Sequence, residues 1–197
     1  MKDRYKLEEF DEKERKAIFL INQSKSNMKY IHISDEELEK IHQFALAKAI
    51  AKRGEKYHVN DNDHEYKRAY TGMLGEVAMA KFFGIDFVDW SIGDSRDYNY
   101  SDLKALGYRV GIKCVEIGKT HLIYKKSYYP ELICVRKDTH TVILCGLATK
   151  DVLNNNQSDD YVWDPKVISE GRKSAFIGFD KLLPVNNIDD LKSYKIK

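Results

Sequence analysis

Apolar positions along this chain change their period near Gly84. Before it they recur every three or four residues, as on one face of a helix. After it they come in short runs rich in Val, Ile, Leu and Tyr, as in strands. Ser34-Asp35-Glu36-Glu37 has a serine at the N-cap and a glutamate three residues on, a capping box. The helix it opens puts Leu38, Ile41, Ala45 and Ala49 on one face and ends at Gly54. A polar loop, His58 to Asp63, leads into a second helix from about Glu65 to Phe83. Val77, Ala80 and Phe83 recur there at helical spacing, and Gly84 is the C-terminal cap. Ile85 to Trp90 is apolar enough for a short strand. Tyr108 to Val115, His121 to Tyr124, Glu131 to Arg136, Thr141 to Ala148 and Ser174 to Phe179 read as further strands. Thr149 caps a short helix, Lys150 to Leu153, and Asn154 to Asp160 is a polar loop. The charged first 30 residues hold one apolar cluster, Ala17 to Ile21, which predicts a helix or arm packed on the rest. Helices, then strands, then small helical pieces argue for an α/β sandwich with a mixed sheet. One domain is expected over 1–197: an N-terminal helical arm (1–64), a core (65–153) and a C-terminal extension (154–197).

Composition narrows the class. The chain has 197 residues, 43% hydrophobic and 32% charged, which fits one folded domain with a sizeable core. No apolar run nears the roughly 18 residues that span a bilayer, and the mixed-charge N-terminus lacks a signal-peptide core, so a cytoplasmic protein is expected. A net charge of +2 neither demands nor excludes nucleic acid. Cys114, Cys134 and Cys145 each sit in an apolar run and form no C-x-x-C pair, which argues for reduced core residues and against zinc.

The chemistry gathers between Gly72 and Val115. Gly72-Met73-Leu74-Gly75-Glu76 lies in the second helix. Two glycines within one turn cost about 1 kcal/mol each in helix propensity, which suggests close packing. An Asp-rich segment with Asp94, Asp97 and Asp102 follows. Then comes Val110-Gly111-Ile112-Lys113-Cys114-Val115, where Lys113 is the one charge in an apolar strand and is costly there unless paired.

This order, a helical glutamate, an aspartate and a strand lysine, resembles the PD-(D/E)xK nuclease superfamily, with Gly75-Glu76-x-x-x-Ala80 and Ile112-Lys113 as the matching phrases. The resemblance spans roughly Ala69 to Leu153. It implies a restriction-endonuclease-like mixed sheet flanked by helices, with Lys113 on a central strand. It also implies a Mg²⁺- or Mn²⁺-dependent nuclease, most readily a DNA endonuclease. Glu76 and Asp102 would hold the metal, and Lys113 would orient water and stabilise charge. Asp97 is the alternative to Asp102. The pattern departs at Gly111, where an acidic residue is expected two before the lysine. Glu116 or Asp97 would then supply the carboxylate, or fewer carboxylates would serve, or the fold is degenerate and only binds nucleic acid or a protein partner. The phrase Gly111 to Glu116 also resembles phage-encoded proteins of this size, which would place the chain in a host cytoplasm, with a homodimer and a role against host defence among the expectations.

Outside this stretch, Lys119, Lys125, Lys126 and Arg136, with Tyr124, Tyr128 and Tyr129 interleaved, offer cations for phosphates and rings for bases. A solvated hairpin explains the same residues. The acidic loop from Asp61 fails as an EF-hand, since Tyr66 and Gly72 fall where glycine and glutamate are required. No Walker loop or dinucleotide fingerprint occurs.

Overall fold

The computed structural model describes residues 10–51, 65–92 and 101–196. Gly54, the loop 58–63, Asp94 and Asp97 lie outside them. Asp11 opens the first described helix, Glu12–Asn22 (α1), through a reciprocal capping box with Glu14. Its buried face is Ala17, Ile18, Leu20 and Ile21, the apolar cluster of the arm. A short strand Lys29–His32 (β1) follows. Asp35–Ala51 (α2) starts at the expected box: Ser34 Oγ accepts from Glu37 N, and the Glu37 carboxylate accepts from Ser34 N. Glu65–Phe83 (α3) packs beside α2 and ends at Gly84, whose φ of 66° is the left-handed cap.

Four strands form the main sheet: β1, Gly111–Glu116 (β2), Glu131–Arg136 (β4) and Thr141–Ala148 (β5), in the order β1-β5-β4-β2. β1/β5 and β5/β4 are antiparallel and β4/β2 is parallel, so the sheet is mixed. A second small sheet joins Leu122–Tyr124 (β3), Lys173–Phe176 (β7) and Gln157–Ser158 (β6), in the order β3-β7-β6. Thr149 caps Lys150–Asn155 (α4), and Asp164 with Pro165 starts Pro165–Glu170 (α5).

Alternation along the strands builds two cores. Leu132, Cys134, Ile112 and Cys114 face α2 and α3. Ile133, Val135 and Val115 face the other way, onto Leu20 and Ile21 of α1 and onto Ile123 and Phe176 of the small sheet. The sheet is thus covered on both faces. No described helix is long and apolar enough to cross a membrane.

Several expectations need correction. Residues 85–90 form no strand. Asp86 and Asp89 accept hydrogen bonds from the backbone N–H of Val88 and Ser91, a local alternative to a ladder, while Phe87, Val88 and Trp90 pack on the first core. β1 is an extra strand; only Ile31 of its four residues is buried, so it leaves no apolar run to read. Asp102 opens a 3₁₀ turn, Asp102–Leu106, and Gly107 at φ 78° closes it. β2 begins at Gly111, and it is an edge strand, not a central one.

The far C-terminal segment is stitched back at two places. Leu147 and Leu183 exchange backbone hydrogen bonds beside Gly146. A Cβ at Gly146 would lie 2.7 Å from the Leu183 carbonyl oxygen, and its φ of 141° is one that glycine alone adopts readily. Further on, Arg109 N donates to the Tyr194 carbonyl and Ile196 N to the Gly107 carbonyl, bridging Tyr108 to Lys195. These bonds hold the short link between the Asp102 turn and β2.

Candidate active site

Gly75 sets the distance between helix and strand. A Cβ there would stand 2.7 Å from Cys114 Cβ and 3.2 Å from Ile112 Cγ2, so α3 lies directly on β2 because residue 75 has no side chain. Gly72, by contrast, has no neighbour within 4 Å of such an atom, and close packing does not explain it. Glu76 follows Gly75 and is therefore carried to the edge of β2.

The edge position matters for Asp102. Gly111 N donates to the Pro130 carbonyl inside the parallel pair, so Ile112 N points away from the sheet. The Asp102 Oδ2 accepts that outward N–H. Its carboxylate is thereby anchored in the plane of the sheet, at the free edge, within reach of both faces. On the face opposite α3 lie Lys113 and Glu131. Glu131 is the register partner of Gly111 on β4. A Cβ built on Gly111 would sit 3.4 Å from Glu131 Cγ, 3.5 Å from Asp102 Oδ2 and 2.9 Å from Tyr129 Cε2. Three side chains from the neighbouring segments thus converge on the point where residue 111 has none.

The electrostatics follow from this crowding. Burial first, and the Asp102 charge second, push the Glu76 carboxyl up to about 8, with Lys48 offsetting part of the rise. Asp102 goes up to about 6, again chiefly through burial. The Ile112 N–H and Lys113 pull it down and Glu131 pushes it up. As a residue Asp102 keeps solvent exposure, so its rise reflects protein packed round the carboxyl and not complete loss of water. Glu131 is raised by burial, against the pull of Lys113. Its Oε2 is buried with no hydrogen-bond partner. Glu76 feels the charge of Asp102, and Asp102 that of Glu131, so each charge makes its neighbour harder to ionise.

Glu131 is the residue that sequence reasoning missed. A glutamate opening a strand just after Pro130 reads as a solvated strand end; only the parallel register places it beside Gly111. Glu116, a candidate for the missing carboxylate, sits elsewhere. It lies at the other end of β2 and pairs with Lys67 at 2.8 Å and Arg136 at 3.4 Å. Asp97 falls outside the described residues.

The expected nucleic-acid residues are not one patch. Arg136 is held by Glu116 and stacks on Tyr70, and Lys119 follows the same strand end. Six strand residues, about 17 Å, separate that end from Glu131 and Gly111. Tyr124, Lys125 and Lys126 belong to the segment leading to Tyr129 and Glu131. There Lys125 pairs with Asp159 at 2.8 Å, Lys173 lies over the exposed Tyr124 ring, and Lys126 over the exposed Tyr128 ring.

Among the described residues, fold and site define a mixed α/β protein with carboxylates from a helix, a turn and a strand round the outer edge of a parallel strand pair, with Lys113 acting on two of them. Comparison with protein-family models, with curated proteins and with solved structures finds no match to this chain.

A divalent cation suits this donor set. The donors are hard carboxylate oxygens, one of them an orphaned buried acceptor, and their mutual repulsion is what a cation would relieve. Among the described residues no three acidic, His or Cys side chains already stand in ligating positions. Holding an ion therefore requires the carboxylates to close on it.

Proposed function

We propose that the chain is a metal-dependent nuclease of the restriction-endonuclease-like type, cutting DNA, with Glu76, Asp102, Glu131 and Lys113 as its site. The observation that carries the reading is Glu131. It stands in register with Gly111, on the same face as Lys113, and supplies from the adjacent strand the carboxylate that the sequence lacks two residues before the lysine. A bound Mg²⁺ or Mn²⁺ would supply Lewis-acid polarisation of the scissile phosphate and a more acidic water. Glu76, Asp102 and Glu131 would hold it. Lys113, on the face shared with Glu131, would orient the attacking water and balance negative charge as it develops on the phosphate. The rings and cations from Tyr124 to Tyr129 lead to this point and would receive the strand.

The test is cleavage of supercoiled plasmid and of single-stranded DNA in Mg²⁺ and in Mn²⁺. Wild type should cut. Lys113→Ala and Glu131→Gln should each lose at least about a hundredfold in rate, and Glu116→Gln should keep it. A wild type that cuts neither substrate with either metal, while still binding DNA, would replace the nuclease with a binding module on the same fold. Equal activity of Glu131→Gln and wild type would overturn the site as drawn.

A further inference from the structure

We infer that Tyr129 is a substrate-contacting residue of this site, its phenol donating a hydrogen bond to a non-bridging oxygen of the phosphodiester. The inference rests on the nuclease reading and extends it. Tyr129 lies two residues before Glu131, and its ring edge occupies the space beside Gly111, 2.9 Å from where a Cβ would be. The absent side chain at 111 is thus matched by a ring from the neighbouring segment. Tyr129 is half-buried, and its ring edge shares the space at Gly111 with Glu131 Cγ and Asp102 Oδ2.

The chemistry of that position is specific. A phenol carries its proton near neutral pH, so Tyr129 brings an O–H donor into a group of acceptors, beside Asp102 and Glu131 at the Gly111 gap. Asp102 Oδ2 accepts from Ile112 N, and on the nuclease reading the remaining oxygens of Asp102 and Glu131 turn to the cation. The phenol is then left to a ligand oxygen. A phosphate oxygen is the acceptor that arrives beside a cation and a lysine, and its negative charge grows in the transition state. Arg109, exposed at the outer side, would meet the adjacent phosphate.

Tyr129→Phe keeps the ring that fills the space at Gly111 and removes only the donor. Steady-state cleavage in Mn²⁺ should show kcat lowered by about a hundredfold with KM nearly unchanged. Mn²⁺ affinity and the thermal midpoint should match wild type. Wild-type kcat in Tyr129→Phe overturns the inference. So does a loss of rate matched by an equal loss of Mn²⁺ affinity or of folding, since the hydroxyl would then act through the carboxylates or the core. A wild type that cuts nothing removes the nuclease reading and this contact together. A wild type that cuts, with Tyr129→Phe equally active, removes only the contact.

Discussion

Replacing Glu76 with glutamine should make the protein more stable at alkaline pH, and the size of the gain follows from the site. The carboxyl has an ordinary value of 4.5 and a folded one of about 8. Between those values the folded protein holds a proton that the unfolded chain has lost, so it binds more protons and its stability falls as pH rises. Glu131, raised by burial, acts in the same direction as Glu76, and two further groups bear on the same curve. Asp102, raised from 3.8 to about 6, acts in the same direction but is finished above that pH. His121, fully buried and lowered from 6.5 to about 4, acts in the opposite sense, since the unfolded chain there binds the extra proton. Its contribution rises with pH and is complete by 6.5. From pH 6.5 to 8, then, Asp102 and His121 add little beside Glu76. Its loss over that window is about 1.5–2 kcal/mol, from 1.36 kcal/mol per unit less the levelling near its own pKa. Urea unfolding at pH 6.5, 7, 7.5 and 8 should show a decline in wild type that is smaller by about this amount in Glu76→Gln. At pH 5, where both side chains are neutral, the two proteins should agree within about 1 kcal/mol. Saturating Mg²⁺ should restore the wild-type loss at pH 8 and do little for the variant. Parallel declines in the two proteins, or a variant less stable at pH 8, would refute the placement of Glu76 in a crowded carboxylate group.

The same crowding predicts that Mn²⁺ binding releases protons and tightens between pH 6 and 8; calorimetry in two buffers of different ionisation enthalpy should show a release of about one proton at pH 7. Gly111→Asp, which would complete the expected motif, should not raise activity: its Cβ meets the Tyr129 ring at 2.9 Å and adds a charge to an already repulsive group, so a loss of about 1–3 kcal/mol in urea unfolding is expected. Gly75→Ala should be destabilising by about 1–3 kcal/mol despite alanine's better helix propensity, and Cys114→Ala should not rescue it because the collision is with the Cβ itself. Arg136→Ala should leave the salt dependence of DNA binding unchanged while Lys126→Ala flattens the slope by about one, which a filter-binding series from 50 to about 200 mM salt would read.

Much of the fold was legible in the sequence. The α2 box, the cap at Gly84 and the strands at Glu131 and Thr141 are local signals, and local physics decides them. The site was legible only in its local parts. Glu76 and Lys113 could be read because each is an anomaly in its own element: a glutamate after a glycine that touches a strand, and a charge in an apolar run. Glu131 could not, because it differs from any strand-opening glutamate only through parallel pairing with β2. The same holds for the free edge of β2, since strand order is not a property of any one segment. Asp102 came from the resemblance, and what fixes the aspartate is a 3₁₀ turn and an outward N–H of an edge strand.

The bonds from Tyr194 and Ile196 back to the Arg109 and Gly107 backbone have a consequence for how the protein is made. Helices α2 and α3 precede the main strands in the chain, so they can form during synthesis. The brace on the Asp102 turn waits for Tyr194 and Ile196, which are made well after the turn itself. A half-made chain therefore carries Glu76 and Lys113 without a secured Asp102, so on the proposed reading activity would wait for that later segment.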